Sequence, residues 1–122
     1  MNVTIDGADV HYVEHGEGRP ILCIHGLAPD HRVMTGCMEP LFEARPGWRR
    51  IYPDLPGMGK TPGPDRLCSS EAILELLVRF AGEVAPDGPL AVVGQSYGGY
   101  LARGLAGRLE KRVLCLMMLV PV

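Results

Sequence analysis

The sequence lacks several features that would each point to a definite function. None of its four cysteines, Cys23, Cys37, Cys68 and Cys115, stands in a CxxC pair, and no Cys/His spacing matches a zinc site. Charge of neither sign is in excess: 12 Lys and Arg stand against 14 Asp and Glu, a net −2. A chain so balanced offers no electrostatic footprint for DNA, RNA or an anionic membrane. The opening Met1-Asn2-Val3-Thr4-Ile5-Asp6 has no basic segment leading into an apolar core, so it does not read as a secretory signal. The longest apolar run, residues 113–122, covers ten positions and is too short to span a bilayer. These absences lead to the expectation of a reduced, cytoplasmic protein with no nucleic-acid partner, no membrane partner, no metal and no cofactor. They leave its oligomeric state open.

What is present suits a packed domain. The 122 residues fit one domain and leave no room for two. Hydrophobic residues make up 47%, which excludes general disorder. Gly (16) and Pro (11) are both frequent and announce many turns. No repeat, low-complexity tract or linker interrupts the chain.

Two strand-like segments come first, Val3–Gly7 and Asp9–Glu14, expected to pair as a hairpin about a Gly-Ala turn. Ile21–Ile24 is a continuous apolar run, the mark of a strand buried on both faces. His31–Glu43 has helical spacing at Met34, Met38 and Leu41, with Pro40 predicting a kink or an early end. Residues 48–54 hold a strand centred on Ile51 and Tyr52, and 55–66 read as a loop.

The segment 70–84 is the clearest helix. Ser69 or Ser70 can cap it, Glu71 sits at the positive end of its dipole, and Ile73, Leu77, Phe80 and Val84 line one face. A strand over Leu90–Val93, a helix over Tyr97–Leu109 with Leu101, Leu105 and Leu109 on one face, and an apolar strand over residues 113–122 complete the pattern. Cys23 and Cys115 fall inside apolar strands, where cysteine acts as a small hydrophobe. Buried strands alternating with amphipathic helices imply a mostly parallel α/β sheet with helices on both faces. A ligand site is then expected beyond the carboxyl ends of the strands.

One motif carries chemistry. Gly94-Gln95-Ser96-Tyr97-Gly98 is a G-x-S-x-G placed between a strand and a helix. The turn it makes is tight enough to strain the serine backbone, and the two glycines let neighbouring backbones pass closely. The strain lifts the Ser96 hydroxyl above the sheet edge, over a helix N-terminus that favours developing negative charge. Without that context the pentapeptide would be a glycine-rich turn with an incidental serine. The strand that ends at Ile24 runs into His25-Gly26-Leu27-Ala28. A backbone N–H of that loop, read as Leu27, should join the N–H of Tyr97 in an oxyanion hole. His25 is expected to brace the loop by hydrogen bonding rather than to act as a base.

Gly59-Lys60-Thr61 imitates the end of a phosphate-binding loop. The motif needs Gly where Asp54 stands, and Pro62-Gly63-Pro64 follows where a helix should begin. A nucleotide site is therefore rejected.

Taken together, His25-Gly26, Asp54-Leu55-Pro56-Gly57-Met58-Gly59 and Gly94-Gln95-Ser96-Tyr97-Gly98-Gly99 resemble the α/β-hydrolase fold superfamily in order and separation, and the resemblance covers essentially the whole chain. It implies Ser96 as nucleophile, Leu27 and Tyr97 as oxyanion amides, and Asp54 as a structural acid holding its loop beside the site. Lys60 departs from the small residue common there. Serine at the nucleophile position argues against haloalkane dehalogenases, which carry Asp. The fold does not choose among its many substrates.

A serine nucleophile needs a base and an orienting acid, in this fold in the order Ser, acid, His. After Ser96 there is no His and no Asp, and Glu110 lies at the far end of a helix about 20 Å long. His11, His15, His25 and His31 all precede Ser96. By the resemblance the fold has eight strands, of which six are here, so residues 1–122 are expected to be the N-terminal part of one α/β-hydrolase domain. The cap region and C-terminal strands are absent from it. The full protein is expected to hydrolyse a carboxylic ester or related small acyl substrate, and the 122-residue piece to be inactive. The other reading is a non-catalytic binding or regulatory protein, or a decayed fragment, that has lost the triad. The last strand should be a bare apolar edge prone to aggregation.

Overall fold

The computed structural model describes residues 1–120. Six strands form one sheet: β1 (Asn2–Ile5), β2 (Ala8–His15), β3 (Arg19–Ile24), β4 (Trp48–Pro53), β5 (Leu90–Gln95) and β6 (Val113–Leu119). Their order across the sheet is β1-β2-β4-β3-β5-β6. β1 and β2 are antiparallel, as is β2 against β4, while β4, β3, β5 and β6 run parallel. The expected α/β architecture is what the chain adopts.

Three helices cover the sheet: α1 (His31–Phe42), α2 (Ser70–Val84) and α3 (Tyr97–Leu109). Alternation along the strands divides the core between two faces. Leu22, Ile24, Ile51, Leu90 and Val92 face α2 and α3, where they meet Leu76, Leu77, Phe80, Leu101 and Leu105. Ile21, Cys23, Tyr52, Ala91 and Val93 face α1 and its Met34 and Met38. Each fully buried side chain of this size stabilises the fold by about 1.5–3 kcal/mol. Ser69 caps α2 by accepting from the Ala72 N–H at 3.1 Å. Asp30, not singled out in the sequence, does the same for α1 through the Arg32 N–H at 2.9 Å.

Four details differ from the sequence reading. The hairpin turns at Asp6-Gly7 (φ 49° and 80°), and Ala8 already pairs with Ile5. α1 runs two residues past Pro40, because the proline sits in the last turn and forgoes only the one bond its N–H would donate to the Gly36 carbonyl. A single 3-10 turn, Asp65–Leu67, interrupts the end of the 55–66 loop. Cys115 is exposed, unlike the buried Cys23, since among the described residues β6 is an edge strand paired with β5 alone. The described part of the last strand ends at Leu119, and the expected strand residues Pro121 and Val122 lie outside the described residues. Among the described residues no helix is long and apolar enough to cross a membrane.

The register positions the site. Ile24 at the end of β3 sits opposite Gly94 of β5, and Gln95 sits opposite Leu119 of β6. The segments following β3 and β5 therefore leave the sheet side by side.

Candidate functional site

Ser96 occupies the single residue between β5 and α3 at φ 55° and ψ −122°. A residue with a β-carbon pays about 1–3 kcal/mol for such a conformation. The surroundings enforce it. The Ser96 N–H donates to Leu119 O at 2.9 Å, and its carbonyl accepts from the Gly99 and Tyr100 N–H groups. A β-carbon at Gly98 would overlap the carbonyls of Ile24 and His25, and one at Gly94 would overlap Gly98. The helix can start this close to β3 only because both positions are bare. Among the described residues the Ser96 hydroxyl and the Tyr97 N–H have no hydrogen-bond partner, and Ser96 is half-buried.

The loop after β3 lies against this turn. His25 is fully buried. Its Nε2 accepts from the Leu55 N–H at 2.9 Å, so the proton is on Nδ1, which donates to Gly26 O at 2.6 Å. Burial pushes its pKa below the usual histidine value. His25 is thus a neutral strut between the loops after β3 and β4, with both nitrogens engaged. The Gly26 N–H donates to Gln95 Oε1 at 3.1 Å. Leu27, the expected oxyanion residue, is 61% exposed, and among the described residues its N–H donates to no protein acceptor.

Asp54, at the end of β4, is buried beneath these loops. Its Oδ1 accepts from the backbone and ring nitrogens of His31, both at 2.8 Å. Its Oδ2 accepts from His11 Nδ1 and the Lys60 N–H, both at 3.0 Å. Burial alone would raise the carboxyl pKa, but the bonds from Lys60, His31 and His11 outweigh it and hold the group below the usual carboxylate range.

The sequence shows His11 and His31 only as histidines preceding Ser96 and not as partners of Asp54, since 43 and 23 residues separate them from it and no local spacing joins the three. Their ligand atoms lie within 4.8 Å of one another. Each carboxylate oxygen already takes two donors, so the cluster is closed as a brace, and a cation would have to displace both ring N–H groups. The same loop disposes of the phosphate motif. The Lys60 amide points at a carboxylate, and Thr61 Oγ1 is taken up by the His11 N–H at 2.9 Å.

Beyond Ser96, the Tyr97 hydroxyl bonds Ser70 Oγ at 2.7 Å and its ring stacks on Tyr100. Ser70 ends a groove of about 270 Å³ between α2 and α3, also lined by Leu74, Tyr100 and Gly104. Glu110 is exposed at the far end of α3.

The α/β hydrolase fold family model matches residues 19–122. The lipase LipV of Mycobacterium tuberculosis is 32% identical over 117 residues, which take in 93% of this chain and 42% of the lipase. An alpha/beta superfamily hydrolase from Oenococcus oeni superposes with a TM-score of 0.88 at 32% identity, covering 100% of this chain and 45% of that one. The thioesterase domain from the curacin biosynthetic pathway gives 0.88 at 28%, covering 99% and 45%. The chain thus spans less than half the length of the relatives it matches. With the strained serine between β5 and α3 and a mostly parallel sheet beneath it, the chain belongs to the α/β-hydrolase fold family.

Proposed function

We propose that these residues carry the nucleophile and oxyanion hole of a serine hydrolase acting on a carboxylic ester or related small acyl substrate. The observation that carries the reading is the Ser96 backbone, held at φ 55° between strand and helix with its hydroxyl uncommitted. Strain of this kind clusters at active sites where the surroundings over-determine it, as the bonds at the Ser96 N–H and carbonyl do. Ser96 Oγ attacks the acyl carbonyl, and the carbonyl oxygen gains negative charge. The N–H groups of Leu27 and Tyr97, without protein partners, receive that charge, with the N-terminus of α3 behind them. Such donors are worth about 10²–10³ in rate each. The alcohol or thiol leaves with a proton, and water then releases the acid from the acyl-Ser96.

The base that takes the Ser96 proton, and its partner acid, are assigned to parts of the protein outside residues 1–122. The likeness to a lipase and a thioesterase more than twice as long supports this. In this reading the chemistry needs no metal and no organic cofactor, the partner is a small acyl molecule rather than nucleic acid or membrane, and the protein works in the cytoplasm. A second reading, a binding protein without turnover, draws on one observation: among the described residues no imidazole hydrogen-bonds Ser96 Oγ.

The test uses the full-length protein with p-nitrophenyl butyrate and a fluorophosphonate probe. Turnover and covalent labelling are expected, and both should vanish in Ser96→Ala. Undiminished turnover in that variant would refute the nucleophile assignment. No labelling and no turnover in the wild type would favour the binding protein.

A further inference from the structure

We propose that Gln95 is a positioning residue that presets the oxyanion loop through its side-chain carbonyl, without touching substrate. The inference rests on Ser96 being the nucleophile. The Leu27 N–H shares a peptide plane with Gly26 O, and in a trans peptide the two point in opposite directions. His25 Nδ1–H holds that carbonyl at 2.6 Å and so turns the Leu27 N–H away from the strut. The plane before it ends in the Gly26 N–H. Glycine between two planes places little limit on how one rotates against the other. Gln95 Oε1 removes that freedom by accepting the Gly26 N–H at 3.1 Å. Successive planes are therefore pinned by two different side chains, and the remaining N–H, that of Leu27, is left pointing free.

Gln95 differs from His25 in where it is anchored. It precedes Ser96 directly, so one residue carries the nucleophile on its backbone and the oxyanion loop on its side chain. Loop and turn are in contact: a β-carbon at Gly26 would stand 2.8 Å from Gln95 Oε1 and 3.1 Å from Ser96 Cβ. The Gln95 side chain thus sets the spacing between the Leu27 donor and the Tyr97 donor before any substrate arrives. Donors fixed in advance stabilise charge without reorganising during the reaction.

The experiment compares Gln95→Met, which keeps the length and removes the acceptor, with wild type in the full-length enzyme. The expected result is a fall in kcat of about 10- to 100-fold, less than deletion of a donor outright. KM should stay within about twofold, the signature of an interaction that matters only in the transition state. The inhibition constant of a trifluoromethyl ketone, which forms the tetrahedral adduct, should rise by the factor that kcat/KM falls.

Wild-type kinetics in Gln95→Met would overturn the proposal. So would a loss in which KM and thermal stability move while the ketone constant does not follow kcat/KM. Exchange of the Gly26 amide hydrogen in the wild type gives a reading that needs no variant: slow exchange is expected, and exchange at the rate of an open amide would overturn the tether. A dead Ser96→Ala beside a fully active Gln95→Met defeats this inference alone. Turnover surviving in Ser96→Ala defeats the nucleophile reading and this one with it.

Discussion

Ser96, Gly98 and Asp54 bear the site at the level of single residues, and each fails differently when changed. Gly98→Ala would drive a methyl group into the carbonyls of Ile24 and His25, which belong to a buried strand end and cannot retreat. The expected cost is about 3 kcal/mol or more, read as a lowered denaturant midpoint, together with loss of probe labelling at Ser96.

Asp54→Asn replaces one acceptor oxygen of a buried carboxylate by a donor and leaves two N–H groups facing it without partners, for about 3 kcal/mol at neutral pH. The carboxyl pKa is held below its unfolded value, so its contribution is present above the ordinary carboxylate range and fades as pH falls through the lower folded value. The stability gap between wild type and Asp54→Asn should be widest above about pH 5 and should narrow below about pH 4. Equal denaturant midpoints at pH 7 would count against the brace. Much of this scale was readable in the sequence because Gly94, Ser96 and Gly98 are neighbours and their spacing reflects one turn. His11 and His31 were not, since only the folded sheet brings β2 and the start of α1 to one carboxylate.

At the level of elements, apolar runs and the 3.6-residue spacing place β1 to β5 and the three helices within two residues of their bounds. Apolarity could not tell a covered strand from an open one. Residues 113–119 read like Ile21–Ile24, yet β3 has partners on both sides and β6 on one. α3 ends in a second strained position, Glu110 at φ 46° and ψ −112°. Unlike Ser96, Glu110 is exposed and makes no side-chain hydrogen bond among the described residues, so its strain serves no visible purpose. Glu110→Gly should raise stability by about 1 kcal/mol, the relief of strain exceeding the added entropy of the unfolded glycine. A variant less stable than wild type in urea would show that Glu110 does something more.

At the level of the molecule, the sheet is lopsided. One edge is the β1–β2 hairpin. The other is β6, with Leu114, Met117 and Met118 between 41% and 49% exposed. Residues 1–122 expressed alone should therefore self-associate through an open apolar edge, and Met117→Lys should reduce light scattering at equal concentration. Both pieces scattering alike would argue against the edge as the cause. The same 122 residues should turn over p-nitrophenyl butyrate no faster than their Ser96→Ala form, because an oxyanion hole without a base leaves little rate. That the fold class could be read from order alone, two antiparallel strands and then alternating strands and helices, reflects how few ways such a series can bury both faces of a sheet.

The place of β3 in the sheet has a consequence for how the protein is made. Its two neighbours, β4 and β5, both come later in the chain. A ribosome adding about 5–20 residues per second exposes Ile21–Ile24 roughly 4–14 s before Gln95 completes the strand that closes its second edge. For that interval the apolar run Ile21–Ile24 is a sticky nascent segment. Shielding by a chaperone, or by the ribosome surface, is thus most needed while the middle third of these residues is being translated.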